Sequence, residues 1–454
     1  MNGKKKTNKM QRRFIAALCV LCICTATAAT AQETHAFSAA QTAEYALKHS
    51  VQAKNALTDV LIQQQSNREI TSAALPQISG GVNLTDYLSI PTNLLPGEFF
   101  GQPPGTYIPV KFGTKYNGSY TARLQQILFD GQVFVGLQAR KATILLQQQT
   151  SDVTQVEIKS NVYKVYYQLV VGRTQVKIID VNISRAEKLL HDTRELFKNG
   201  FQEQLDVDKV NVSLSNLRTQ RTSVENQLET GNLALKYLIG MPVKEQLVLT
   251  DTLSDQNLRD DLANSPFQYE DRPEYRLQQT AELLGQFNVK RYKMSYLPTL
   301  SVSGTYNRNA QRNKFNFFDK NQPYFTTSFV SFDLSIPIFD GFAKAARIQQ
   351  ARLQLLQTQA NIENLRNSID NDVQTARVEI RNALTTMDEQ KGNMTLAEQV
   401  YNQTKKKYEA GLGSNLEVTN AEADLITAQN NYFSAVYDAI IARIDYMKAT
   451  GKLQ

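Results

Sequence analysis

The chain has 454 residues, 50 Lys and Arg against 43 Asp and Glu, three cysteines, no tryptophan and a formal charge of +7. Charged residues make up 20% and hydrophobic ones 42%, a balance that excludes wholesale disorder. The net charge invites a nucleic-acid reading, and that reading depends on where the charge sits.

Lys4, Lys5, Lys6, Lys9, Arg12 and Arg13 precede an apolar run from Phe14 to Cys24, then small residues ending Ala29-Thr30-Ala31. A basic start, a short apolar run and an A-x-A site are the parts of a secretory signal. The apolar run is too short to span a bilayer. Residues 1–31 are expected to be a signal peptide, cleaved to leave Gln32 first. Cys19, Cys22 and Cys24 raise a lipid anchor as the alternative. Leu21 and Ile23 stand before Cys22 and Cys24, where a lipobox wants a small residue. Six of the 50 basic residues, no acidic residue and all three cysteines lie before Gln32, so cleavage leaves 44 basic against 43 acidic. The basic face that nucleic acid needs is then missing, and no thiol remains for a disulfide or a metal.

The rest of the chain is written twice. Phe129-Asp130-Gly131 recurs as Phe339-Asp340-Gly341, Phe197…Gly200 as Tyr408…Gly411, and Leu205-Asp206-Val207 as Leu416-Glu417-Val418. Ile239-Gly240 recurs as Thr450-Gly451, and Leu75-Pro76 as Leu297-Pro298. The first repeat is placed at 32–240, a linker at 241–270, and the second repeat at 271–454.

In chain order, a helix is expected at about 38–74, before Leu75-Pro76. A strand follows, with Ile78, Val82 and Leu84 alternating with polar residues. Residues 89–115, rich in Pro and Gly, read as a long loop. Tyr120, Ala122 and Leu124 mark a second strand. From Gly131 to Asn199 the seam Ile158, Val162, Val165, Leu169, Gly172, Val176, Ile179, Ile183, Ala186, Leu190, Thr193, Phe197 steps by four and three. That heptad implies a left-handed coiled coil, and a helix of this span is ~100 Å long. A returning helix carries Val210, Leu214, Leu217, Val224, Leu228, Leu235 and Leu238.

The second repeat supplies a helix at about 272–296, then a strand with Leu300, Val302, Gly304 and Tyr306 on one face. A basic loop at 308–324 follows, then a strand with Val330, Phe332, Leu334 and Ile336. The long helix at 341–409 repeats the seam, from Ile369 through Tyr401 to Tyr408. Its returning helix has smaller seam residues, among them Ala421, Ala428, Ala435, Ala439 and Ala442. The alternating strands fit either a soluble sheet with one wet face or tilted membrane strands of about 10 residues. Long loops and aromatics near strand ends (Tyr87, Tyr116, Tyr306, Tyr324) favour the membrane. Four strands cannot close a barrel, which needs about eight, and lipid does not tolerate open edges. Several chains must then share one barrel.

The ordered doublet of strands, Phe-Asp-Gly lead-in, long helix and tip motif resembles the TolC-type outer membrane efflux protein family over residues 36–453. The resemblance implies a mainly α protein with membrane β: a homotrimer with four strands per chain in a 12-stranded outer membrane barrel. A long α-helical coiled-coil barrel would continue it into the periplasm of a Gram-negative bacterium. It implies a passive channel-tunnel for small molecules or proteins, working with a periplasmic adaptor and an inner-membrane transporter, with no cofactor and no nucleic acid. It further implies that the helix tips meet the adaptor through Phe197, Gly200, Leu205, Val207, Tyr408, Gly411, Leu416 and Val418. Seam residues also serve an intramolecular core, and tip glycines also serve chain reversal through a positive φ. Asp206 and Glu417, at matched positions, would form acidic rings at the periplasmic entrance. First-turn acids equally suit the helix macrodipole. Asn420 stands where the best-known type has an acid, and Gly413 where it has a basic residue.

A non-transport coiled-coil scaffold or adhesin is the alternative. An enzyme is excluded by His35, His49 and His191, which lie apart with no metal spacing and no nucleophile motif. N-terminal sequencing of the exported protein should return a free or cyclised Gln32. A blocked Cys24 would establish the lipid anchor instead.

Overall fold

The computed structural model describes residues 34–253 and 267–453. The signal peptide, the Ala31–Gln32 junction, the three cysteines and the middle of the 241–270 linker lie outside the described residues. Among the described residues no helix is long and apolar enough to cross a membrane.

The elements are β1 (Thr34–Phe37), α1 (Ala39–His49), α2 (Val51–Ser72), β2 (Gln77–Asp86), β3 (Thr92–Pro96), β4 (Tyr107–Lys111) and β5 (Tyr116–Phe129), then α3 (Gly131–Lys198), α4 (Gln204–Ile239) and β6 (Gln246–Leu249). The second half adds α5 (Pro273–Met294), β7 (Thr299–Arg312), β8 (Phe325–Ser335), α6 (Ala343–Glu409) and α7 (Asn415–Ala449). The chain divides into two compact units. One comprises the described residues of Met1–Lys54, Gln155–Pro266 and Val373–Gln454, and the other Asn55–Thr154 and Phe267–Asp372. The boundaries fall inside α2, α3, α6 and the linker.

The second of these units holds one antiparallel sheet in the order β2-β5-β7-β8. All four predicted strands are present. Their register stacks Ile78 against Leu124, Val82 against Tyr120, Leu124 against Gly304, and Gly304 against Val330. The apolar residues therefore share one face, and they are exposed: Ile78 is 77% accessible, Val82 75% and Phe332 70%. β2 and β8 are open edges. Between β2 and β5, the Pro- and Gly-rich stretch is not wholly loop. It forms the β3–β4 hairpin around a short turn at Gly97–Phe100. The helices of this unit are tied by polar contacts. Arg140 bonds Thr71 Oγ1 at 2.7 Å, and Asn67 donates to the Arg140 carbonyl at 2.8 Å. On the other repeat, Arg366 donates to the hydroxyl of buried Tyr275 at 2.6 Å.

The first unit is built on the predicted heptads. Ile158, Val162, Leu169, Ile179, Ala186, Leu190 and Thr193 of α3 are buried, as are Val373, Ala376, Ile380, Met387, Tyr401 and Tyr408 along the α6 seam; Ile369 continues that seam in the second unit. Each fully buried Leu or Ile contributes about 1.5–3 kcal/mol of hydrophobic free energy. Phe197 departs from the seam: it is 40% exposed, because the helix has run past its packing partners by that residue.

Two local expectations are corrected, and one pairing is new. The helix at 38–74 is two helices. Ser50 is extended (φ −61, ψ 146), ends α1 through its N–H to Ala46 O, and starts α2 by accepting from Ala53 N–H at 3.2 Å. One small buried residue serves both ends, its backbone N–H the first and its hydroxyl the second, beside Gly240, where a Cβ would lie 2.5 Å from His49 O. The second long helix begins at Ala343 rather than Gly341. Gly341 and Phe342 are both left-handed, and the Asp340 carboxylate caps the Lys344 N–H at 2.9 Å. A parallel pair of β1 with β6 was not anticipated. It is seated on α3 by buried Tyr166, whose hydroxyl donates to Phe37 O at 2.9 Å and accepts from Asp251 N–H at 3.2 Å.

Tyr166→Phe removes both bonds while keeping the ring. It should destabilise this unit by about 1–2 kcal/mol, read as a lowered denaturation midpoint of the full chain.

Candidate functional site at the helix tips

Each long helix ends in the same backbone device. Gly200 has φ +79 and Gly411 φ +75. The Gly200 N–H bonds Phe197 O and the Phe201 N–H reaches back to Leu196 O; Gly411 and Leu412 repeat this with Tyr408 and Lys407. These are Schellman reversals, which satisfy the last carbonyls and favour glycine at the left-handed residue.

The reversals bring α3, α4, α6 and α7 into one cluster. Leu189, Leu190, Val207, Val210, Leu214, Tyr401, Tyr408, Val418 and Leu425 are buried together there. Of the eight tip residues expected to face a partner, Val207, Tyr408 and Val418 belong to this core. The Tyr408 hydroxyl lies 3.4 Å from Thr193 Oγ1. Leu205 and Leu416 are more than half exposed, and Phe197 nearly so. Two further apolar side chains were missed: Phe201, 77% exposed, and Leu412, 81% exposed. The signal was an apolar residue directly after each tip glycine, repeated at the same offset as the rest.

Asp206 and Glu417 each occupy the first turn of a returning helix. Neither carboxylate is the capping group. Ser414 Oγ accepts from the Glu417 N–H at 3.3 Å, and Glu203 ahead of α4 makes no side-chain cap. Asp206 is half-buried and its carboxylate lies 3.8 Å from Lys209 Nζ; Glu417 and Asn420 are exposed. Buried Asn415 donates to Asp206 O at 3.1 Å, which joins the starts of α4 and α7. At position 413 the glycine backbone packs beside Tyr408, and an added Cβ would meet the Tyr408 amide at 3.2 Å.

One turn deeper is a carboxyl that the sequence reading passed over. Glu422 of α7 is 4% exposed. Ser213 Oγ of α4 lies 3.4 Å from Oε2, while Oε1 has no hydrogen-bond partner among the described residues. Arg185 of α3 and Lys405 of α6 are the cations that act on it, and Tyr401 of α6 faces it. Burial pushes the Glu422 carboxyl above the usual range against the opposing pull of Ser213, Arg185 and Lys405. Burial, then the Glu422 charge, pushes the Tyr401 phenol up to about 12. Arg185 pairs with Glu398 at 2.9 Å and stands over the Tyr401 ring.

Residues 284–452 match the family described as outer membrane efflux protein. Outer membrane efflux protein BepC of Brucella suis is 20% identical over 414 residues, covering 90% of this chain and 84% of that protein. Proteases secretion protein PrtF of Dickeya chrysanthemi is 20% identical over 344 residues, covering 73% and 72%. Among solved structures, CusC superposes with a TM-score of 0.74 at 15% identity, covering 92% of this chain and 93% of that one. At that identity the likeness is one of fold.

Glu422 is held nearer its neutral form in the folded tip than in the unfolded chain. Its contribution to stability is therefore full below the ordinary Glu range and is lost as pH rises through its raised value. Glu422→Gln should stabilise the tip at neutral pH by on the order of 1 kcal/mol, read as a raised melting temperature, and flatten the pH dependence on the alkaline side of the ordinary Glu range. Calorimetry of both proteins across that range measures it.

Proposed function

We propose, from the chain's membership of the TolC-type outer membrane efflux protein family, that it is a passive channel-tunnel in the outer membrane of a Gram-negative bacterium. It works with a periplasmic adaptor and an inner-membrane transporter, which supplies the energy. The observation that carries this reading is the open-edged sheet with an exposed apolar face, whose strands lead directly into helices of 67 and 68 residues. A sheet of this kind in water would present two unpaired edges and a large apolar patch. In lipid the apolar face is at home, and the edges require further strands. Three copies supply twelve strands, β8 of one chain pairing with β2 of the next. We take residues 32–240 and 271–454 as the two repeats that alternate around that ring, with 241–270 between them.

The tip then divides by role. Val207, Tyr408 and Val418 support the fold, with Gly200 and Gly411 making the reversals. Phe197, Phe201, Leu205, Leu412 and Leu416 offer the apolar contact for the adaptor. Asp206 and Glu417, with carboxylates not used as caps, stand threefold at the periplasmic entrance and favour cations. Asn420 sits beside them without charge. The transported compounds are small molecules or proteins, and their choice lies with the transporter.

In planar bilayers the purified trimer should conduct with a preference for cations. Asp206→Asn with Glu417→Gln should weaken that preference several-fold at low salt while leaving conductance intact. Unchanged selectivity removes both acids from the entrance. A protein that washes off membranes and fails to conduct would instead be a periplasmic scaffold.

A further inference from the structure

Arg308 and Arg312 stand on the apolar face of β7, in phase with Val302, Gly304 and Tyr306. Tyr120 is opposite Arg308, and Tyr116 is opposite Arg312. This is the end of the sheet remote from the helices, and the 313–324 loop folds back over it. Phe317 is buried against Gly118, where an added Cβ would come within 2.7 Å of its ring. The Tyr324 hydroxyl donates to Phe317 O at 2.7 Å, and its ring lies 6.0 Å from that of Tyr120.

Both guanidinium groups flank that one ring, Arg308 at 5.2 Å and Arg312 at 5.6 Å. Their surroundings differ. Arg312 is buried and donates to the carbonyls of Gln311 and Pro323. Arg308 is exposed. Among the described residues no carboxylate lies within ion-pair distance of either. Lys115 adds an exposed ammonium over the Tyr116 ring at 5.1 Å. Like charges thus converge at the rim of an apolar surface: Asp86 acts on Lys115, whereas among the described residues no acid pairs with Arg308 or Arg312.

The depth of Arg308 is measurable. It lies nine residues beyond Thr299, where β7 begins. At ~3.3 Å per residue that is about 30 Å along the strand, and a tilt of about 40° reduces it to about 23 Å of thickness. The apolar band of a membrane barrel is about 25 Å tall. With the lower border of that band taken at Thr299, Arg308 falls where the acyl region gives way to headgroups.

We propose that Arg308 binds the phosphate of a phosphorylated lipid headgroup in the outer leaflet. The lipid's acyl chains lie along the apolar face formed by Val82, Tyr120, Tyr306 and Val330. The planar guanidinium fork suits a bidentate phosphate contact. Arg312 is a positioning residue: its carbonyl contacts hold the loop, and with it the Tyr324 ring on which Arg308 rests. The proposal rests on the membrane reading of the sheet.

The test uses the purified full chain in detergent, as wild type, Arg308→Gln and Arg308→Lys. Each is incubated with lipopolysaccharide carrying its lipid phosphates, and separately with the same material after chemical dephosphorylation. Retained lipid is quantified by mass spectrometry of the intact complex. Arg308→Gln should retain about tenfold less phosphorylated lipid, and Arg308→Lys an intermediate amount. The dephosphorylated material should be held weakly by all three, and millimolar inorganic phosphate should not displace the lipid. Equal retention by wild type and Arg308→Gln overturns the proposal, as does equal binding of dephosphorylated material. Displacement by inorganic phosphate overturns it in favour of a free-anion site. The same preparations are reconstituted into phosphatidylcholine vesicles. If they conduct but show no phosphate preference, the lipid site fails and the channel reading stands. If none inserts or conducts, the channel reading itself fails.

Discussion

The constraint on which the rest depends is that four strands cannot satisfy their own edges. β2 and β8 each present an unpaired row of backbone donors and acceptors, and the face between them is exposed hydrocarbon. Water penalises the face and lipid penalises the edges. The arrangement that removes both penalties is a closed ring of chains in a membrane. Pairing with strands from further chains is on this view a requirement of the backbone.

The two repeats meet this constraint with the same skeleton and different fillings. The Schellman reversals at Gly200 and Gly411 are alike to within a few degrees of φ. The cores beneath them have diverged. α4 packs with Leu214, Leu217 and Leu235, whereas α7 packs with Ala421, Ala435, Ala439 and Ala442. The buried acid Glu422 lies on α7, and the matched residue of α4 is Asn211. A duplicated chain need not keep both copies equivalent. One hairpin can hold apolar packing while the other carries a titratable layer, and the tip thereby gains a dependence on proton concentration that symmetry alone would not supply.

The sequence made the periodic parts legible and hid the parts fixed by single contacts. Every seam position in α3 and α6 except Phe197 is buried or half-buried, because a 3.5-residue period keeps one stripe facing inward. The four strands appear where alternation placed them, since a one-residue slip would turn Ile78, Leu124 and Val330 to the wrong face. By contrast, the break at Ser50 depends on Gly240, far along the chain, and no local pattern announces it. The β1–β6 pair is four residues on each side, too short for periodicity to register. At the tip, the motif located the reversals. It could not separate Val207 and Val418, which are core, from Leu205 and Leu416 beside them, because neighbouring helix positions differ only in which way they face. Phe201 and Leu412 carried one signal, an apolar residue directly after each tip glycine, whereas nothing in the spacing marked Glu422 as a buried acid.

The strand order β2-β5-β7-β8 has a consequence for synthesis. The central pairing joins β5 to β7, so Tyr116 meets Arg312 and Ile127 meets Ser301 across more than 170 intervening residues. Pairing at such sequence distance is intrinsically slow. The first hairpin emerges from the export machinery as an orphan, with a sticky flank on both sides, and stays so until the second half of the chain has been translocated. The duplication that makes the sheet symmetric therefore also creates an interval in which a half-made protein must be shielded from its neighbours. In that interval the unpaired edges of β2 and β5 are the aggregation-prone part of the chain.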